Sequence, residues 1–170
     1  MRPTSDGLAF AAPPLVRGGA VDEATVERIS GILRIPRADV VDSQWVDNGP
    51  GWVAVMLADA DAVLALRPGF VDDLKIGVVA PHPTGSPFAY EVRAFFPKDG
   101  ATVEDPVTGS LNASVALWLL RSGRATAPYV ARQGTALGRA GEVHVTWDGG
   151  NNDIWIGGGT VTCITGTVEL

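Results

Sequence analysis

The sequence predicts an α+β domain in which a curved, mostly antiparallel, barrel-like sheet wraps a central apolar helix. Three observations lead there. Strand-like runs rich in Val, Ile, Thr and Trp recur along the chain. Its 21 glycines and 12 prolines are spread out and imply many tight turns. One segment, LNASVALWLL (111–120), has no polar face beyond Asn112 and Ser114, so a helix there is buried on every side. About eight strands and one such helix fit a sheet around a helix better than a doubly wound fold, which would alternate the two. The 170 residues suit a single domain with a substantial core.

In chain order, 22–34 carries Val26, Ile29 and Leu33 at helical spacing, with Asp22 as candidate N-cap. Residues 40–46 and 52–58 read as a hairpin closed by DNGPG. A short helix over 59–67 is ended by Pro68 and Gly69. Strands are predicted at 74–80 and 88–96, separated by PHPTGSP. The apolar helix follows, with Arg121 and Gly123 marking its end. Further strands are predicted at 128–134, 141–147, 153–158 and 160–170.

Forty-six per cent hydrophobic and 19% charged residues are a globular composition. The net charge of −6 without a Lys/Arg cluster argues against nucleic-acid or anionic-membrane partners. A single cysteine, Cys163, forms no internal disulfide and points to a reducing cytoplasm. No apolar run reaches membrane-spanning length.

The chemistry concentrates just before the apolar helix, in VEDPVTGS (103–110). Pro106 keeps Asp105 extended, so the helix starts later, with Thr108 or Ser110 as N-cap. Gly109 lets the backbone approach a ligand closely. The free amides of a helix start suit a carboxylate or phosphate. Two readings stand side by side: caps and a dipole-offsetting Asp105, or a site in which the Gly109 and Ser110 amides hold a carboxylate while Asp105 and the Ser110 hydroxyl orient or move a proton.

Three segments, EVRAFFPKDGATVEDPVTGSLNASVALWLLRSG (91–123), RQGTALGRAGEVHV (132–145) and IWIGGGTVTCITGTVEL (154–170), resemble the C-terminal half of the PhzF-like phenazine-biosynthesis isomerase family, relatives of diaminopimelate epimerase. The resemblance runs from about Leu8 to Leu170. It implies a diaminopimelate-epimerase-like half, with the whole chain, 1–170, as one domain and the family's N-terminal domain absent. It also implies an active site between two such halves. The activity implied is a cofactor-independent proton shift or epimerisation on a small carboxylate metabolite. Asp105 and Ser110 are carried over as catalytic residues, Thr108, Gly109 and Ser110 as substrate-binding, and Arg93 and Glu104 as support. The family's principal base, a glutamate of the other half, and an assisting histidine have no matching positions here.

A site with one helix start and one carboxylate needs something opposite it. A homodimer would bring a second Asp105, and paired carboxylates separate into an acid and a base; a partner carrying the N-terminal half would supply the glutamate. The alternative is a non-catalytic small-acid binding or assembly module. No metal or cofactor is expected. His82 and His144 lack ligand partners at metal spacing, and Gly157–Gly158–Gly159 precedes a strand and reads as a bulge or turn. Cys163 reads as a small buried strand hydrophobe, and the five tryptophans as core or interface residues.

Overall fold

The computed structural model describes residues 1–5, 7–151 and 153–169. Its strands are β1 (Arg2–Thr4), β2 (Gly7–Ala11), β3 (Arg17–Ala20), β4 (Asp42–Asp47), β5 (Trp52–Met56), β6 (Lys75–Pro81), β7 (Tyr90–Lys98), β8 (Ala101–Asp105), β9 (Tyr129–Gln133), β10 (Gly141–Asp148) and β11 (Asp153–Gly158). Helix α1 (Glu23–Leu33) lies between β3 and β4, α2 (Ala60–Ala65) between β5 and β6, and α3 (Gly109–Arg121) between β8 and β9. All strands join one sheet in the order β1-β2-β11-β10-β9-β7-β6-β5-β4-β3, with β8 added to β7. Two pairings are parallel, β5 with β6 across α2 and β7 with β9 across β8 and α3; the others are antiparallel. The α+β class and the antiparallel bias hold.

The barrel does not: the sheet is open, ending in β1 and β3. These end strands have three and four residues, and all four of β3 are exposed, so neither has a buried face with which to fold against the other.

Both faces of the middle strands are covered, which explains their lack of polar alternation. On β5, Trp52, Ala54 and Met56 face the α3 layer, while Val53 and Val55 face α1 and α2. Strand β7 splits in the same way, with Tyr90, Val92 and Ala94 toward α3 and Phe95 toward the other helices. Ten consecutive residues of α3, Leu111 to Leu120, are buried, and the helix packs against β4 and β11 near opposite ends of the sheet. Helix α1 buries Val26, Ile29 and Leu33 as their spacing predicts, under the Asp22 cap. The Asp59 carboxylate caps α2 by accepting from the Ala62 amide at 2.8 Å. Asp59→Ala is expected to cost about 1 kcal/mol in a urea unfolding curve.

The segment after β11 departs from expectation. Residues 160–169 form no strand; Val161, Ile164 and Val168 are exposed, and so is Cys163, predicted to be buried. A strand needs a neighbour for its backbone groups, and no described strand pairs with this segment. Leu170 lies outside the described residues.

Candidate functional site

A tight turn at Asp99 and Gly100, both at positive φ, folds β8 back along β7. Asp105 thereby ends opposite Ala94. Pro106 then leaves the ladder and α3 begins at Gly109.

Thr108 occupies the N-cap position but makes no side-chain cap bond. Its hydroxyl instead donates to Asp105 Oδ2 at 2.8 Å and accepts from Gln133 Nε2 at 3.0 Å. The amides of Gly109, Ser110 and Leu111 consequently donate to no described residue, which leaves the positive end of α3 open. Thr108 is buried at 6% exposure, with its hydroxyl directed at Asp105. Gly109 is exposed and Ser110 partly so.

Gln133, wholly buried, holds this loop together. Its Oε1 accepts from the Thr108 amide at 3.0 Å and from Asn112 Nδ2 at 2.7 Å. Its Nε2 donates to the Asp105 carbonyl at 2.9 Å as well as to Thr108. Both acceptor sites and both donors of the amide are filled. The adjacent Gly134 sits at φ +89°, and an added Cβ there would lie 2.7 Å from the Pro106 carbonyl oxygen, so the loop and β9 approach as only glycine permits.

Behind β8, Arg93 and Glu104 form a fork, Nε to Oε1 at 2.9 Å and Nη2 to Oε2 at 2.7 Å, while Nη1 donates to the Val63 and Leu66 carbonyls at 3.0 Å. This ties the strand that carries Asp105 to β7 and to the end of α2. Glu104 is engaged in this pair, which leaves Asp105 as the carboxylate of the 104–110 segment whose Oδ1 accepts from no described residue.

On the other side of the entrance, Trp52 Nε1 donates to Ser110 Oγ at 3.0 Å and Asn48 Nδ2 to the Ser110 carbonyl at 3.0 Å. Sequence reasoning missed Trp52, Asn48 and Asn112. Gln133 fell within a motif quoted for its resemblance but was given no role, and the DNGPGW run offered only a turn.

Beside Gly109 opens a groove of about 740 Å³ lined by Phe10, Val107, Gly141, His144, Ile156 and Gly158 among others. Elsewhere, His82 Nε2 on the β6–β7 connection and Glu91 Oε2 on β7 lie 3.0 Å apart, and no group of metal-ligating side chains occurs among the described residues. Burial pushes the Tyr90 and Tyr129 hydroxyls up. Tyr90 donates to the Arg124 carbonyl just past the C-terminal end of α3, far from the entrance. No described helix is long and apolar enough to cross a membrane.

Residues 6–166 match the family described as phenazine biosynthesis-like protein. Two relatives come from Schizosaccharomyces pombe. Antisense-enhancing sequence 1 is 28% identical over 159 residues, covering 85% of this chain and 53% of its own. A protein named uncharacterized isomerase C186.06 is 30% identical over 142 residues, 74% of this chain and 75% of its own. Among solved structures, PhzF-family proteins of Bacillus anthracis and Enterococcus faecalis each superpose with a TM-score of 0.63 at 16% and 22% identity, over 87% and 89% of this chain. A predicted epimerase of Pseudomonas aeruginosa reaches 0.65 at 19% over 92%. The fold is therefore shared with these structures. The chain spans about half the length of the first relative and of all three structures, 53–57%.

Proposed function

We propose, because this chain belongs to the phenazine biosynthesis-like protein family, that it supplies one half of a cofactor-independent isomerase or epimerase cleft acting on a small carboxylate. The open start of α3 carries this reading: Thr108 turns its hydroxyl away from the helix amides and toward Asp105, leaving Gly109 and Ser110 free to bind an anion beside a carboxylate. The substrate carboxylate sits on those amides. Asp105, oriented by Thr108, takes or returns the proton at the neighbouring carbon, while Arg93 and Glu104 brace its strand.

A proton shift that inverts or relocates a centre needs one group to remove the proton and another to return it. With Glu104 bound to Arg93, this entrance offers one carboxylate, which supports a cleft completed by a second copy of the chain or by a separate half carrying the other group. The name isomerase carried by one relative fits the same chemistry. The helix start of a second half, pointing at the first, would make a substrate pocket between them, and the setting is the reducing cytoplasm.

The reading is tested by incubating a panel of small carboxylic acids in D2O with the chain, alone and with a co-expressed second half, and following C–H exchange by NMR. Exchange is expected in the assembled form and is expected to fall on the order of 10²–10⁴-fold in Asp105→Asn. Binding at the Ser110 entrance without any exchange, in both assemblies, would instead identify a non-catalytic small-acid binding module.

A further inference from the structure

We propose that Trp52 is a positioning residue that fixes Ser110 as a hydrogen-bond donor to the ligand, so that within this entrance Ser110 binds the anion and Asp105 is the group that takes or returns the proton. This rests on the reading of the α3 entrance above and divides the labour within it.

The indole of Trp52 is 4% exposed, and its one polar atom is a donor with no acceptor capacity. Its 3.0 Å bond to Ser110 Oγ therefore runs in one direction only: the serine oxygen accepts, and the serine proton must point elsewhere. No described residue accepts that proton, and Ser110 is partly exposed at the entrance. A hydroxyl that accepts one hydrogen bond is polarised and donates a stronger one. The outward-facing group of Ser110 is thus an O–H, matched to a carboxylate oxygen and unsuited to act as a base.

The backbone of Ser110 is held as firmly as its side chain. Its carbonyl accepts from Asn48 Nδ2 and from the Ser114 hydroxyl, each at 3.0 Å. Asn48 and Trp52 flank a turn closed by Asp47, whose Oδ1 accepts from the Gly49 amide at 2.7 Å and the Gly51 amide at 2.6 Å. Both glycines lie at positive φ, +133° and +93°, where a side chain would be strained. Asn48 Oδ1 is buried without a partner among the described residues, so the bond to Ser110 alone orients its amide. The DNGPGW run, read from sequence as a hairpin turn, acts here as a clamp on the first turn of α3, 58 and 62 residues away along the chain.

The test uses the full chain labelled with ¹⁵N, the Trp52 indole N–H resonance assigned by through-bond correlation, and acetate as probe. Ser110→Ala is expected to shift that resonance upfield in the free protein, and acetate to perturb it in the wild type but not in Ser110→Ala. Trp52→Phe is expected to weaken acetate binding about two- to tenfold when Ser110 is present and not at all in Ser110→Ala. An indole resonance indifferent to Ser110→Ala overturns the proposal even if Trp52→Phe fails to fold. Acetate that binds without sensing Trp52, equal losses in both backgrounds, or no acetate binding by the wild type also overturn it. None of these outcomes bears on the exchange assay, which decides the isomerase reading by itself.

Discussion

Gln133→Leu is expected to lower the unfolding free energy by about 3–5 kcal/mol, a large fraction of the roughly 5–15 kcal/mol that holds a domain together. Leucine has nearly the right volume and removes all four hydrogen bonds that the amide makes to Asp105, Thr108 and Asn112. What remains is the buried Thr108 amide without its acceptor and Asn112 Nδ2 with only the Thr108 carbonyl as partner, at 2.9 Å, each donor left unsatisfied costing about 1–3 kcal/mol. Chemical denaturation monitored by far-UV circular dichroism reads the loss directly.

Gln133→Glu is the discriminating companion. It keeps the acceptor used by Thr108 and Asn112 but, when ionised, faces the Asp105 carbonyl with oxygen in place of N–H. Burial raises the folded-state pKa of such a carboxyl above its unfolded value. Its stability contribution is thus present below the unfolded pKa of about 4.3 and lost as pH rises through the folded pKa. The deficit relative to wild type should therefore shrink between pH 7 and pH 4.5. A constant deficit would mean that Gln133 acts by volume and not through its amide.

These bonds show why part of the site was legible and part was not. Asp105, Thr108, Gly109 and Ser110 are neighbours in sequence, and the chemistry of a proline followed by a helix start brings them together with little help from the rest of the chain. Gln133, Trp52 and Asn48 reach the same place across 25, 58 and 62 residues, and nothing local marks a glutamine or tryptophan as the partner of a distant loop. The same division runs through the fold. Helices α1 and α3 and the β4–β5 hairpin carry their own periodicity or turn signal. By contrast β1, β3 and β8 are three to five residues long, and RGGA has no alternation to read. The opposite error occurred at 160–169, where strand propensity is high but no described strand pairs with the segment. Propensity reports what a segment can do once a neighbour exists, and does not report the neighbour.

Arg93→Met is expected to be as damaging as Gln133→Leu, about 3–5 kcal/mol, for an electrostatic reason. The guanidinium is 5% exposed and the Glu104 carboxylate 11%. Taking Arg93 away leaves a nearly buried charge with no counter-ion and removes one donor each from the Val63 and Leu66 carbonyls, which keep, respectively, the Leu66 amide at 3.3 Å and Arg67 Nη1 at 2.8 Å. Arg93→Lys should recover only part of the loss, because one ammonium cannot span both Glu104 oxygens and the α2 carbonyls at once. The decisive variant is the double substitution Arg93→Met with Glu104→Leu. Replacing a buried ion pair by apolar groups of similar volume is often neutral, so the double variant should regain most of the stability that the single one loses. If it does, the pair is not needed for folding as such. Its selective use is then geometric: Glu104 adjoins Asp105, and the fork to Arg93 sets where that carboxylate stands. The refolded double variant should therefore bind acetate at the Ser110 entrance while its C–H exchange falls, since a proton-transfer group must stand within hydrogen-bonding reach of its target and a static anion site tolerates more displacement. Unimpaired exchange in a stable double variant would reduce Arg93 and Glu104 to scaffolding.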